Sequence, residues 1–66
     1  MKVIRLPKVI DTTGLARSTI YKLMSHGAFP NSIPLGARSV GWIEAEIITW
    51  IQSRANQRDQ FLDSSS

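Results

Sequence analysis

Hydrophobic residues recur along residues 16–24 at helical spacing. Ala16, Ile20, Leu23 and Met24 fall at i, i+4, i+7 and i+8, a period that predicts a helix with one buried face. Arg17, Ser18, Tyr21, Lys22 and Ser25 fall together on the other face. The helix is expected to begin near Ala16 or Arg17 and to close at His26-Gly27. Upstream, Val3-Ile4-Arg5-Leu6 reads as a short strand or extended lead-in. Pro7 suits a first helical position, and Lys8 to Thr13 then form a short helix with Leu6, Val9 and Ile10 inward and Lys8, Asp11 and Thr12 outward. Thr13-Gly14 ends it, and Leu15 packs in the turn. Two short helices across a Gly-containing turn make either a helix-turn-helix or a plain αα-corner. The opposed faces of the second helix favour the former.

Beyond Gly27 the pattern changes. Pro30 forces the preceding residue out of the helical region, and Ile33-Pro34-Leu35 reads as a short strand that tolerates Pro34 only at a sheet edge. Gly36-Ala37 predicts a two-residue II′ turn, with Arg38 to Trp42 as the returning strand. Phe29, Val40 and Trp42 are expected to seat this hairpin on the helices, leaving Arg38 at its tip. A final helix starts near Ile43 or Glu44, with Glu44 and Glu46 at its positive end and Arg54 and Arg58 at its negative end. Ile43, Ile47, Trp50, Ile51 and Arg54 line its stripe, widened by Ile48 and Ala55; Ile48 serves either packing or an oligomer contact. Truncation of Trp50 is expected to be the costliest in the chain, about 3–5 kcal/mol. The pattern thus predicts a mainly α fold with a small β-hairpin: a winged helix-turn-helix of three helices plus a wing.

With 66 residues, the chain holds one small domain, expected over residues 1–58. Residues 59–66 are expected to form a polar, flexible tail, in which Phe61 and Leu62 either fold back or meet a partner. There is no cysteine and one histidine, His26, which excludes a disulfide framework and argues against any metal site. No cofactor is expected. No apolar run approaches the roughly 18 residues of a membrane span, and the first residues lack the apolar core of a signal peptide. A cytoplasmic, nucleoid-associated protein is the expectation.

Charge sharpens the picture. Eight Lys and Arg against five Asp and Glu give a net charge of +3, which favours a polyanionic partner. Six of those cations (Lys2, Arg5, Lys8, Arg17, Lys22 and Arg38) precede Trp42, with Asp11 the one acid among them. The face carrying Arg17, Ser18, Tyr21, Lys22 and Ser25 has no carboxylate, whereas a merely solvated face mixes both signs. Such a face suits a groove of phosphates and base edges. Arg17 is expected to fork to guanine, and Ser18, Tyr21 and Lys22 to contact bases or phosphates. Arg38 is expected to reach the neighbouring backbone or minor groove, with Arg5 and Lys8 adding backbone contacts. A small domain covers little DNA, so useful specificity calls for copies side by side or a partner such as an integrase.

Two other classes compete with double-stranded DNA binding. Tyr21 as a recombinase nucleophile would need a base and cationic stabilisers in a pocket, and a chain committed to a three-helix core leaves none, so no catalytic residue is assigned. A protein-interaction module, such as an antitoxin or anti-repressor, would use the hairpin and Phe61-Leu62 instead.

The blocks Arg5-Leu6-Pro7-Lys8-Val9, Thr13 to Tyr21, Phe29-Pro30, Gly36 to Trp42 and Glu44 to Trp50 resemble the AlpA-type phage regulators. The likeness spans roughly Val3 to Arg54. It implies a small winged-helix DNA-binding protein of a prophage or integrative island, related in fold to excisionases and to the MerR-type DNA-binding domain. It further implies either transcriptional control of an integrase gene or direct action as an excisionase that bends attachment-site DNA. Carried over by position, Arg17, Ser18, Thr19, Tyr21 and Lys22 belong to the recognition helix, and Arg38 and Ser39 to the wing. Many relatives have serine where this chain has Ala16, so the second helix starts either there without a side-chain cap or later, at Ser18.

Overall fold

A computed structural model describes residues 1–65, with side chains as far as Arg58. The elements run β1 (Val3–Ile4), α1 (Leu6–Thr13), α2 (Arg17–Ser25), β2 (Ile33–Pro34), β3 (Val40–Ile43) and α3 (Glu44–Ser65). β3 is the central strand of an antiparallel sheet in the order β1-β3-β2, with Val3 opposite Ile43 and Ile33 opposite Gly41. The N-terminal strand therefore completes a three-stranded sheet, which steadies a hairpin too short to stand alone. Pro34 lies on an edge strand, where its missing N–H breaks no ladder. This is a winged helix-turn-helix: three helices, with the β2–β3 hairpin as the wing.

The core draws one side chain from nearly every segment. Ile4 of β1, Val9 of α1, Ile20 of α2, Phe29 of the α2–β2 connection, Trp42 of β3 and Ile47 of α3 are buried together. Leu6, Ile10, Leu15, Leu23, Met24, Trp50 and Ile51 pack around them. Both tryptophans act on the same short connection. The Trp42 indole N–H donates to the carbonyl of Pro30 at 3.2 Å, and that of Trp50 donates to Ala28 at 2.8 Å. Phe29, between those carbonyls, meets the Trp50 ring edge-on at 4.8 Å. The connection leaving α2 is thus pinned to both the sheet and α3.

Each short helix ends on a glycine in the left-handed region, Gly14 at φ 74° and Gly27 at φ 69°. At Gly27 the pattern is complete: the Gly27 N–H donates to Met24 and the Ala28 N–H to Leu23, which satisfies the last carbonyls of α2. The other end of α2 is bare. Ala16 is its N-cap, at φ −71° and ψ 155°, with no side-chain hydrogen bond. The helix starts at Arg17 and not at Ser18, and Ala16 is exposed because it lies outside the helical period. Ala16→Ser should stabilise the fold by about 1 kcal/mol, raising the melting temperature by roughly 4–8 °C. A thermal melt with no rise would show that serine cannot reach the free N–H groups of Ser18 or Thr19.

Several sequence expectations are corrected. The wing does not close through a II′ turn: Gly36 has no positive φ, and the Leu35 N–H donates to the Ser39 carbonyl at 2.7 Å. That pairing leaves a three-residue loop, 36–38, so Arg38 sits in the loop and not on the strand. Val40 is exposed, one pleat beyond Trp42 and past the cover of the helices. Trp42 is fully buried while Trp50 is half-buried, so the costliest truncation belongs to Trp42. Ile48 is exposed and packs in no core. Leu6, not Pro7, opens α1, with Arg5 as its N-cap. Finally, α3 does not stop near Arg58; its backbone runs to Ser65. No glycine or proline lies beyond Trp42 to break it, and polar residues alone do not end a helix. Arg54 and Arg58 therefore lie within the helix, away from its last turn. The side chains of Phe61 and Leu62, and Ser66 altogether, lie outside the described residues.

Candidate nucleic-acid interface

α1 and α2 are joined by Gly14, Leu15 and Ala16. A network at the end of α1 holds this turn. The Thr13 hydroxyl donates to the Val9 carbonyl at 2.8 Å and accepts from the Leu15 N–H at 3.2 Å. Leu15 is thereby directed into the core. Ile20 is buried completely, and Leu23 and Met24 pack beside it. With that side anchored, the rotation of α2 is set and its opposite side faces out.

Arg17, Ser18, Tyr21, Lys22 and Ser25 are all exposed on that outer side. Tyr21 keeps 40% of its surface accessible. The Arg17 guanidinium carbon lies 5.9 Å from the Tyr21 ring centroid, a cation–π contact one helical turn apart that restrains the arginine without covering it. Ser25 is less available than its exposure suggests, because its hydroxyl donates to the Lys22 carbonyl at 2.7 Å. Thr19 stands apart from the group, half-buried at the flank of the helix.

The remaining candidates occupy two other places. Arg38 is exposed in the wing loop, and half-buried Ser39 closes that loop through its carbonyl. Arg5 and Lys8 are exposed at the start of α1, where the Arg5 carbonyl accepts the Lys8 and Val9 N–H groups. Lys2 pairs with Glu44 at 3.7 Å. Among the described residues, no carboxylate pairs with Arg5, Lys8, Arg17, Lys22 or Arg38. Their charge is uncompensated at short range, which is the condition for attracting phosphate.

The described residues include no cluster of three metal-ligating side chains and no helix long and apolar enough to cross a membrane. What sequence reasoning missed is the pair of indole N–H groups that fix the exit from α2. Periodicity marks a tryptophan as apolar but says nothing of where its N–H finds an acceptor.

A turn-linked helix pair with an open basic face, followed by a hairpin with a cation at its tip, defines a winged helix-turn-helix domain. The chain belongs to the AlpA family: residues 2–55 match the family described as Prophage CP4-57 regulatory protein (AlpA). Membership places it among prophage regulators and not among enzymes. It is similar to the DNA-binding transcriptional activator AlpA of Escherichia coli (strain K12), 45% identical over 60 residues covering 82% of this chain and 86% of the relative. It is also similar to the uncharacterized protein ORF88 of Enterobacteria phage P4, 36% identical over 63 residues covering 96% of this chain and 72% of the relative.

Proposed function

We propose that this protein binds double-stranded DNA in a sequence-specific manner as a transcriptional regulator of a prophage or integrative element. Its targets are the promoter of an integrase gene, the attachment sites at which it would act as an excisionase, or both. The observation that carries this reading is the outer face of α2, where Arg17, Ser18, Tyr21 and Lys22 lie open with no carboxylate among them. The relative named as a DNA-binding transcriptional activator supports it.

In this reading α2 enters the major groove. Arg17 reads a guanine through O6 and N7, and Ser18, Tyr21 and Lys22 contact neighbouring bases or phosphates. Thr19, at the flank, supports the helix against the groove wall. Arg38 and Ser39 bring the wing to the adjacent backbone or minor groove, while Arg5 and Lys8 contact phosphates. The protein works in the cytoplasm, on the nucleoid, alongside further copies or an integrase.

Gel shifts across a salt series, on duplexes carrying the integrase promoter, each attachment site and random sequence, test the reading. A specific site should bind about 10³-fold or more tighter than random duplex. Arg38→Ala should weaken specific and random duplex alike and flatten the salt slope by about one unit. Equal affinity for all duplexes would overturn sequence-specific regulation.

A further inference from the structure

An open groove runs between the connection after α2 and one side of α3. Phe29, Pro30, Ile33 and Trp50 give it an apolar floor and wall, and Glu46 and Arg54 stand on its α3 side. Those two charges sit one turn before and one turn after Trp50, so the three share one stripe of the helix. Both charged residues are exposed. Among the described residues Glu46 has no ion pair, and Arg54 lies over its own Trp50 ring at 4.9 Å. Within one helix, residues eight apart are separated by about 12 Å along the axis, too far to pair with each other.

We infer that this groove receives α3 of a second copy of the chain, in an antiparallel, two-fold arrangement centred near Trp50. A two-fold interface must be self-complementary, and this stripe is: reversing the helix about Trp50 sets Glu46 of each copy against Arg54 of the other. Thr49 and Ser53, which also line the groove, are small enough to let the two backbones approach. The paired charges set register and reject other alignments, while the apolar floor supplies the burial. A specific interface needs about 500 Å² from each partner, a tenth of the 4871 Å² this chain exposes. The pairing does not rest on the DNA-binding reading. Where that reading holds, the dimer presents two α2 helices related by a two-fold axis and calls for a pseudo-palindromic site.

Sedimentation equilibrium from low to high micromolar protein tests the inference. The wild type should pass from the 7.4 kDa chain to twice that mass. Glu46→Arg and Arg54→Glu, each of which creates two like-charge contacts per dimer, should each weaken association by about tenfold or more. The double variant should restore it, because swapping the charges re-forms both pairs between copies and none within a copy. Circular dichroism on each variant verifies that the helices are intact. A wild type that stays monomeric overturns the inference, even if some other protein occupies the groove. So do folded single variants that associate like the wild type, or a folded double variant that fails to. Binding of the single variants to duplex DNA, read by gel shift, reports on α2 and the wing separately.

Discussion

Trp42→Ala should leave the chain without a cooperative unfolding transition at 25 °C. Trp42 is fully buried on the central strand, opposite Ile4, and packs with Val9, Ile20, Phe29 and Ile47. Removing a buried tryptophan costs about 3–5 kcal/mol in lost burial and residual cavity. A core in a chain this small supplies rarely more than about 3–5 kcal/mol of net stability, so the loss equals the whole. The variant also orphans the Pro30 carbonyl that accepts from the indole at 3.2 Å. Trp42→Phe separates the two contributions, since it keeps most of the packing and removes that hydrogen bond. It should fold, with stability lowered by about 1–2 kcal/mol. Urea titrations followed by Trp50 fluorescence read both variants. A Trp42→Ala protein that unfolds cooperatively within 1 kcal/mol of wild type would remove Trp42 from the centre of the core.

The second large effect concerns binding. Arg17→Ala should reduce affinity for the specific site by about 5- to 150-fold, the equivalent of 1–3 kcal/mol, while random duplex loses much less. The argument rests on position: Arg17 opens the exposed face of α2 and is steadied by the Tyr21 ring. A guanidinium restrained in this way loses less freedom when it forks to a guanine edge. Tyr21→Ala should therefore reproduce part of the Arg17→Ala loss at the same base pair. Competition gel shifts with single-base-substituted sites measure this directly. If specific and random duplex weaken by the same factor in Arg17→Ala, the arginine binds phosphate and reads no base.

The elements that were legible in the sequence share a property: each is specified by its neighbours along the chain. The faces of α2 follow from Ile20, Leu23 and Met24 on one side and Arg17, Tyr21 and Lys22 on the other. The ends of both short helices follow from Gly14 and Gly27, because a left-handed residue is needed there and glycine adopts it freely. Pro34 marks an edge strand for another local reason, its missing backbone N–H. For the candidate site, the sequence placed the cations, and the structure shows that α2 keeps its own group of them uncovered.

Errors arise where a residue's surroundings come from far along the chain. Leu35 and Ser39 set the wing's register by pairing, which makes the loop one residue longer than the Gly-X pattern suggests. Val40 and Trp42 point the same way from one strand, yet only the latter lies under helix cover. Trp50 and Trp42 are equally apolar by composition, and their burial depends on placement: Trp42 lies on the central strand in the middle of the core, and Trp50 lies on α3 packed against its edge. β1 became a sheet strand only because β3 lay beside it.

The chain by itself determined helix type, the C-terminal ends of the two short helices, the two faces of α2 and the concentration of positive charge in its first half, since periodicity, capping and charge act over a few residues. Tertiary structure alone decided strand order, the wing's register, the ranking of the two tryptophans and the groove beside Trp50. Those depend on which distant segments exclude water from one another, and no local pattern encodes that choice.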